Sequence, residues 1–488
     1  MPTDTTPIDT DYLVIGAGTS GLAFADTLLG QSGAHITLVD RRGKPGGHWN
    51  HAYPFVTLHQ PSAFYGVNSQ ALGSGRKDSA GLNAGLYELA TGAEICAYFD
   101  SVLQHTLLPS GRVAWHPMSQ VLEDGPEGPR IENLLTGVVQ RVNVRRKIVD
   151  ARYLGPDIPA THTPRFQVEP GARLVAPNAL PGLAEGGAGA PLPRHYVVIG
   201  AGKTAMDTAL WLLGTGVPAS AITWVKPREA WLVNRITTQP APEFFFEAIG
   251  SQAEQMAAFG AATSVEDLYL RLEACGALLR VDTGRMPTMF HLATVSTAEV
   301  AALRTLQNIV RLGHVQRVAP GRLVLDGGEA ALPADALFID CTASAVAPRP
   351  VLPIFHDGPP GSPGRIVLQI VRLPQPAFSA AAIAYVEAHD EAYPDTAAKN
   401  AVCATVPFPH TLADYPRAVA VGMQNQFRWG QDKALRHWMR ESRLDGFGRL
   451  MSQVAPDDTA KLAVLARYKE SAIAAMANLP RLMAAAAG

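Results

Sequence analysis

The feature that most constrains this chain is a strand-length apolar run near the N-terminus that ends in three glycines. Residues 12–15 are apolar, and Gly16, Gly18 and Gly21 follow at the spacing G-x-G-x-x-G. In a strand–turn–helix unit, the first glycine permits a sharp turn, the second lets the backbone approach a pyrophosphate, and the third lets the helix lie close to the strand. The unpaired N–H groups at the start of that helix favour an anion. The stretch therefore predicts a dinucleotide site.

A second apolar run, residues 34–39, ends in Asp40. A carboxylate at the end of the second strand of such a unit accepts hydrogen bonds from ribose hydroxyls. Taken alone, the glycine pattern also fits a turn in some other kind of α/β unit. Further features of the sequence are needed to distinguish a dinucleotide site from a turn in another kind of α/β unit.

The same strand and turn occur again 184 positions later. Residues 196–199 are apolar, and Gly200 and Gly202 are followed by Lys203 and Thr204. The second turn also ends like a phosphate-binding P-loop, but Val occupies position 197, where that motif needs its first glycine. The repeat therefore predicts two dinucleotide modules and excludes an ATP-binding P-loop.

The two copies differ at the end of their second strand. Lys226 occupies the position that corresponds to Asp40, and Arg228 follows two residues later. A carboxylate there favours a ribose with a free 2′-hydroxyl, whereas cationic side chains favour a 2′-phosphate. The second module is therefore predicted to bind NADPH.

Charge and cysteine usage exclude several classes of protein. With 488 residues the chain is long enough for two or three domains, and its 41 basic and 43 acidic residues give a net charge of −2, so no charge excess indicates a nucleic-acid or anionic-membrane partner. No apolar run reaches the ~18 residues of a membrane span, and the polar start predicts a cytoplasmic protein. The four cysteines are far apart, so we expect no metal site and no C-x-x-C redox pair. The lack of that pair counts against a flavin disulfide reductase.

A loop rich in aromatic and polar residues follows the first module's second strand. Gly46 and Gly47 are followed by His48 and Trp49, and residues 52–65 continue with further aromatic residues, prolines and His59. We interpret this loop as the floor of a pocket for a flat ligand, with a rigid loop at the edge of the core as the alternative. Each histidine, taken singly, is more often a hydrogen-bonded structural residue than an acid or base.

The order of motifs predicts an α/β fold with two Rossmann-like dinucleotide-binding domains, a helical insertion and a helical C-terminal tail. Residues 1–165 are predicted to form the first part of the first dinucleotide-binding domain, residues 166–340 the NADPH-binding domain with its insertion at 240–312, and residues 341–488 the completion of the first domain and the tail. The Gly- and Pro-rich residues 171–193 are predicted to be a linker. A helix beginning near residues 375–379 is predicted to direct its N-terminus at the first module's cofactor. The tail is interpreted as packing, with a dimer or membrane-surface role as the minor alternative.

Two glycine turns in this order, the Gly46–Trp49 step, the cations at 226 and 228 and the late helix start resemble the flavin-containing and Baeyer–Villiger monooxygenases. The resemblance spans roughly residues 10–390, although residues 166–193 lack the F-x-G-x-x-x-H motif of those families. It implies FAD in the first module and NADPH in the second. The residues implied for FAD are Gly16, Gly18, Ser20, Gly21, Asp40, Arg41, Arg42, Gly47, His48, Trp49, Gln375 and Ser379; those implied for NADPH are Gly200, Gly202, Lys203, Thr204, Lys226 and Arg228.

The resemblance also implies a reaction. NADPH would reduce the flavin, and a C4a-peroxyflavin would transfer one oxygen atom of O2 to a small-molecule substrate, with the protein providing placement and a dry site. His59, Gln60 and His48 are the candidate catalytic residues. Two alternatives stay open: an NADPH-dependent flavin reductase or oxidase that inserts no oxygen, and a non-catalytic redox sensor. Neither the substrate nor the oligomeric state follows from the sequence, and a homodimer stays open.

Overall fold

The computed structural model of the chain describes residues 6–122, 128–184 and 193–487. Its helices are α1 (Thr19–Gln31), α2 (Gly92–Val102), α3 (Leu180–Ala184), α4 (Lys203–Gly214), α5 (Ser251–Ala261), α6 (Val265–Ala274), α7 (Thr297–Leu303), α8 (Pro376–Ala388), α9 (Thr396–Val402), α10 (Asp414–Gln431), α11 (Lys433–Glu441), α12 (Gly446–Ser452) and α13 (Thr459–Ala487). None of these helices is both long and apolar enough to cross a membrane.

The strands are β1 (Ile8–Ile15), β2 (Ile36–Val39), β3 (Val113–His116), β4 (Ser119–Leu122), β5 (Arg130–Asn133), β6 (Val139–Asp150), β7 (Gln167–Val168), β8 (Arg173–Val175), β9 (Tyr196–Ile199), β10 (Ile222–Val225), β11 (Leu232–Asn234), β12 (Leu278–Leu279), β13 (Thr294–Val295), β14 (Asn308–Val310), β15 (Val315–Ala319), β16 (Arg322–Leu325), β17 (Gly328–Ala331), β18 (Leu337–Asp340), β19 (Phe355–His356) and β20 (Gly364–Val367).

The first module is an eight-stranded sheet with the order β19-β20-β6-β1-β2-β3, to which β4 and β5 are added beside β6. Strands β20, β6, β1, β2 and β3 run parallel, so their carboxyl ends share one edge of the sheet. Helices α1 and α8 pack against each other in the same apolar core. Because each follows a parallel strand, both helices begin near that shared edge.

The second module is a five-stranded parallel sheet with the order β14-β10-β9-β18-β8. The two sheets end alike: Gly16 lies against Ala151 just after β6, and Gly200 lies against Cys341 just after β18. The predicted fold class, with two Rossmann-like units, is confirmed by this repetition. A two-module architecture follows directly from the repeated strand and turn.

The structure corrects one detail of the predicted organisation, the linker, and adds strands to the predicted helical insertion. The segment interpreted as a linker contains β8, which pairs with β18 inside the second sheet, and helix α3; residues 185–192 of it lie outside the described residues. The predicted insertion contains helices α5, α6 and α7, but the short strands β12 and β13 separate α6 from α7, and β14 of the second sheet follows α7. The missed strands are two or three residues long, too short to show a period-2 pattern.

The C-terminal tail contacts both modules. Helix α13 lies along α5 of the insertion, where Asn478 donates to the carbonyls of Phe259 and Ala262, each at 2.8 Å. Just after α11, Arg443 donates to the carbonyls of Ala63, Tyr65 and Gln70, which belong to the loop of the first module. The tail therefore links the two modules through hydrogen bonds as well as through packing.

We expect Arg443→Ala to reduce the free energy of unfolding by about 2–4 kcal/mol, because three carbonyl groups lose a charged donor. Arg443→Lys, which supplies a charge without the planar fork, should recover part of the loss. Arg440→Ala removes an exposed arginine from α11 and should stay within about 0.5 kcal/mol of the parent protein. Urea unfolding followed by circular dichroism measures the stability of all three variants. Equal stability of the two alanine variants would show that the hydrogen bonds of Arg443 do not stabilise the fold.

Candidate functional site

The first glycine turn has the geometry of a close-packed phosphate turn. Gly16 has φ +108°, a conformation that L side chains rarely adopt. A Cβ atom on Gly21 would lie 1.9 Å from the carbonyl oxygen of Gly16, so helix α1 approaches the turn as closely as backbone allows. A Cβ on Gly47 would lie 2.9 Å from the Cα of Gly18. Backbone without side chains thus lies at one place, which we call the cradle and which is formed by Gly16, Gly18, Gly21 and Gly47.

Asp40 lies buried at the end of β2 and faces this cradle. Its Oδ2 accepts from the N–H of Ala17 at 2.7 Å, and its Oδ1 accepts from the N–H of Arg42 at 2.8 Å. The Nε of Arg42 is buried without a hydrogen-bond partner among the described residues, whereas Arg41 is exposed. Each carboxylate oxygen keeps a free lone pair for a ribose hydroxyl.

Helix α8, like α1, follows a parallel strand of the first sheet and begins near the same edge of that sheet. Gln375 is buried directly before it, and its Oε1 has no hydrogen-bond partner in the described part of the chain. Ser379 has another role: its hydroxyl accepts from the N–H groups of Val371 and Arg372 and donates to the carbonyl of Gln375. Ser379 therefore holds the turn that presents Gln375, while Gln375 keeps an acceptor available.

The loop that follows Gly46 and Gly47 is connected to helix α1 through the hydroxyl group of Tyr65. The indole Nε1 of Trp49 donates to the hydroxyl of Tyr65 at 2.7 Å, and that hydroxyl also contacts the Thr19 hydroxyl in the first turn of α1. His48 lies against Trp49 with ring centroids 5.0 Å apart. Ser20 is partly buried in the same turn of α1. The aromatic wall is thus fixed to the phosphate turn.

The second glycine turn repeats the first in outline. Gly200 has φ +134°, and a Cβ there would lie 2.6 Å from the carbonyl oxygen of Cys341. Gly202 is the N-cap residue of α4, and Thr204 lies in that helix's first turn. Lys203 is buried, however, and its ammonium group pairs with Asp207 one helical turn later. The lysine that resembles a P-loop lysine is therefore used as part of an internal ion pair.

The two predicted 2′-phosphate cations have different environments. Lys226 is buried, with its ammonium 4.4 Å from the Trp224 ring centroid and paired to Glu229. Glu229 also accepts from Arg311 at 3.0 Å. Arg228 is exposed, and no carboxylate of the described residues lies within ion-pair distance of it. Arg228 is thus the available cation, whereas the charge of Lys226 is offset by Glu229.

A cavity of about 910 Å³ lies between the two modules. Its wall includes the second glycine turn, residues 200–204, and faces the first module's loop at His48, Trp49, Tyr53 and His59. Arg228 also lines it, but Gln60 and Lys226 do not. Its size lies within the usual range for ligand and cofactor pockets.

Buried ion pairs connect the loop of the first module to the second module. Arg235 is wholly buried; it donates from Nε to the carbonyl of His59 at 2.9 Å and pairs through Nη2 with Glu299 at 2.7 Å. A second Glu299 oxygen lies 3.9 Å from the ammonium group of Lys203. On the other side of that lysine, Asp207 accepts from the hydroxyl of Tyr53 at 2.8 Å. We name Tyr53, Asp207, Lys203, Glu299 and Arg235 the inter-module network.

Both cavity histidines of the loop are electrically neutral near pH 7. Burial, with a smaller contribution from Arg42, lowers the pKa of His48 to about 4. Burial, together with the positive charges of Lys203 and Arg235, holds the pKa of His59 well below its usual range. A neutral imidazole presents one N–H donor and one acceptor, so both residues act as hydrogen-bonding groups rather than as a cationic acid.

The inter-module network went undetected in the sequence apart from Lys203 and Tyr53. One signal for it is visible: Asp207 follows Lys203 by four residues, the spacing of a helical ion pair. Glu299 also forms a capping box with Ser296 at the start of α7, and the Ser-x-x-Glu pattern of that box is visible in the sequence. That its carboxylate also pairs with Arg235 could not be read from the sequence, because the two residues are brought together by the fold of the insertion.

The two expected cofactors fit the residues that are present. The backbone cradle of Gly18 and Gly47, the carboxylate of Asp40 and the unpartnered polar atoms of Arg42 and Gln375 suit the pyrophosphate, ribose and ring of FAD. The second turn and the exposed Arg228 share a cavity, as an NADPH site requires.

Part of the chain matches a known family model. Residues 14–65 match the NAD(P)-binding Rossmann-like domain. Across 479 residues the chain is 45% identical to the uncharacterized protein Rv2000 of Mycobacterium tuberculosis, an alignment that covers 98% of this chain and 85% of the relative. An uncharacterized protein of Mycobacterium bovis, Mb2023, matches to the same extent.

Similar solved structures include two monooxygenases. The polycyclic ketone monooxygenase of Thermothelomyces thermophila superposes with a TM-score of 0.49 at 13% identity, over 97% of this chain and 90% of that one. A flavin monooxygenase of Stenotrophomonas maltophilia gives a TM-score of 0.41 at 18% identity, over 81% of this chain and all of the other.

The neutral state of His48 predicts a pH dependence of stability. Because its pKa is about 4 in the folded protein and about 6.5 in the unfolded chain, stability is lost as the pH falls below 6.5. His48→Asn should therefore lose roughly 1–2 kcal/mol less than the parent between pH 7 and pH 5. His105→Asn replaces an exposed histidine and should behave as the parent does. Urea unfolding at both pH values is the measurement, and parallel curves for parent and His48→Asn would contradict a buried neutral imidazole.

Proposed function

Because this chain belongs to the same family as the mycobacterial protein Rv2000, we propose one function for that family: an FAD-dependent, NADPH-using monooxygenase of small molecules. The observation that carries the proposal is the shared cavity, in which the second module's glycine turn faces His48, Trp49 and His59 of the first module. A nicotinamide held by the second turn would meet a flavin held by the first across this space. Both dinucleotides are needed for that arrangement to be of use, which disfavours the non-catalytic sensor.

Bound FAD, once reduced by NADPH, would supply the activated oxygen. The residues of the chain would bind the two cofactors and position them. The two glycine turns hold the phosphates, Asp40 accepts from the ribose, and the exposed Arg228 meets the 2′-phosphate. The oxygen-transfer step and a cytoplasmic location stay predictions.

Two aromatic residues of the cavity wall have polar atoms that are already paired. Trp49 donates to the Tyr65 hydroxyl and Tyr53 donates to Asp207, so both offer few sites to water. His59 presents a neutral ring, and its backbone is fixed by Arg235. We assign His59 the role of hydrogen-bond donor to an oxygen atom in the cavity and His48 a supporting contact with Trp49. Gln60, which does not line the cavity, has a weaker claim to a catalytic role.

A flavin reductase or oxidase is the second candidate, because it would use the same two cofactor sites. It differs from a monooxygenase only in the reaction of the reduced protein with oxygen. A test must therefore observe that step directly.

Stopped-flow mixing with oxygen is the test of the proposed function. Purified protein should be yellow with noncovalent FAD, and Gly18→Val, which fills the cradle, should not retain it. After reduction by NADPH, mixing with O2 should produce a transient absorbance band distinct from those of oxidised and reduced flavin, shorter-lived in His59→Ala. Direct return to oxidised flavin with stoichiometric hydrogen peroxide would assign the reductase or oxidase function. A colourless protein that cannot be reconstituted with FAD would refute both.

The second module also predicts a preference for NADPH over NADH. Arg228→Ala should raise KM for NADPH by roughly tenfold or more, because one charge-assisted phosphate contact of ~1.5–3 kcal/mol is lost, while KM for NADH is unchanged. Arg322→Ala, an exposed arginine outside the cavity, is the matched control. Steady-state oxidation of both nucleotides measures this, and equal use of NADPH and NADH by the parent protein would be the contrary result.

A further inference from the structure

A second cavity of about 400 Å³ adjoins the cofactor cavity. The two share a wall formed by residues 345–347 and His410. His410 there belongs to a cluster of three rings, with centroids 5.7 Å from Phe408 and 5.9 Å from His291. Residues of the second module, the C-terminal region and the connection between them therefore meet at the boundary of the two spaces.

The floor of this second cavity is apolar and rigid. Ile370 and Val406 are buried there, and the N–H of Val406 donates to the carbonyl of Ile370 at 2.8 Å. The wholly buried Asn425 joins the two segments, because its side chain donates to the carbonyls of Val371 and Ala404 and accepts from the N–H of Ala404. The floor is thus preformed for an apolar body.

The rim of the same cavity carries two arginines. Arg349 is exposed, donates to the carbonyl of Gly155 at 3.1 Å and lies over the Tyr153 ring. Arg417 is exposed on α10. In the part of the chain that the structure describes, no carboxylate lies within ion-pair distance of either guanidinium. The one carboxylate of the lining, Asp414, accepts from the N–H groups of His410 and Thr411 and from the Thr411 hydroxyl.

We propose that this second cavity is the substrate site and that it takes a hydrophobic carboxylic acid. The Ile370–Val406 floor receives the apolar chain, and Arg349 and Arg417 receive the carboxylate. The inference rests on the proposed function, since it supplies the substrate on which that reaction would act. Its support is the combination of an apolar, preformed floor with two cations that no described carboxylate neutralises, next to the cavity assigned to the cofactors.

The chemistry favours an acid over a neutral apolar molecule. An apolar floor alone would accept any hydrocarbon of suitable size, with affinity set by the buried area. Two guanidinium groups at the rim add charge-assisted hydrogen bonds to a planar carboxylate, which a neutral amide of the same shape makes only weakly. An acid and its amide therefore form a matched pair that isolates the contribution of the rim.

Titration calorimetry with octanoate and octanamide tests the proposal on the full-length protein loaded with FAD. Octanoate should bind at least tenfold more tightly than octanamide, and acetate, which lacks the chain, should bind much more weakly than octanoate. The double variant Arg349→Gln/Arg417→Gln should reduce the preference for the acid to less than threefold. Arg440→Gln, which removes an exposed arginine outside both cavities, should leave the preference unchanged.

Equal binding of the acid and the amide, no binding of either, or a preference that survives the double variant would each overturn the proposal. Thermal unfolding of each variant confirms that it is folded before titration. Octanoate should also accelerate NADPH oxidation by the parent protein. A protein that retains FAD and oxidises NADPH but shows no preference for the acid refutes this inference alone. A protein that cannot bind FAD refutes the proposed function, and in that case the calorimetric preference is still measured on the cofactor-free chain.

Discussion

The position of the cofactor cavity depends on the inter-module network, a set of buried charges between the two dinucleotide modules. Two cations, Lys203 and Arg235, alternate with two carboxylates, Asp207 and Glu299, and the hydroxyl of Tyr53 closes one end. The charges balance, which is the condition under which burial of ions is tolerated. Removal of a single partner from such a set leaves an uncompensated charge and costs about 3–5 kcal/mol. The network therefore fixes the glycine turn of the second module against the loop of the first module at the wall of the cofactor cavity.

The same network contributes to the neutral state of His59. Burial is the main cause of the lowered pKa of His59, and the positive charges of Lys203 and Arg235 lower it further. A side chain that is usually a pH switch is thus held in one protonation state across the physiological range. The cations that join the modules also set the hydrogen-bonding character of the cavity wall.

Sequence reasoning was most successful where chemistry is local. The two glycine turns, Asp40 at a strand end and the helix start at Gln375 depend on residues close together in the chain, and the structure places all of them as an α/β nucleotide fold requires. It was less successful where partners are distant. Lys226 was interpreted as a phosphate ligand from its position after β10, but it pairs with Glu229, and Glu229 is held in turn by Arg311, which the return of β14 brings beside β10. Strand β8 was missed for a different reason: a segment of three residues is too short for its sequence pattern to distinguish a strand from a linker.

The order of strands in the first sheet has a consequence for synthesis on the ribosome. The edge of β6 is completed by β20, more than 200 residues later in the chain, after the whole second module has been made. Until then, residues 147–150 of β6 lack the partner strand that they have in the finished protein, and unpaired edges are templates for association with other chains. Charged residues at 145–147 of this strand, two of them arginines, are the kind of side chain that protects such an edge. The basic cluster in β6 thus has a use during biogenesis that is separate from its ion pairs in the finished protein.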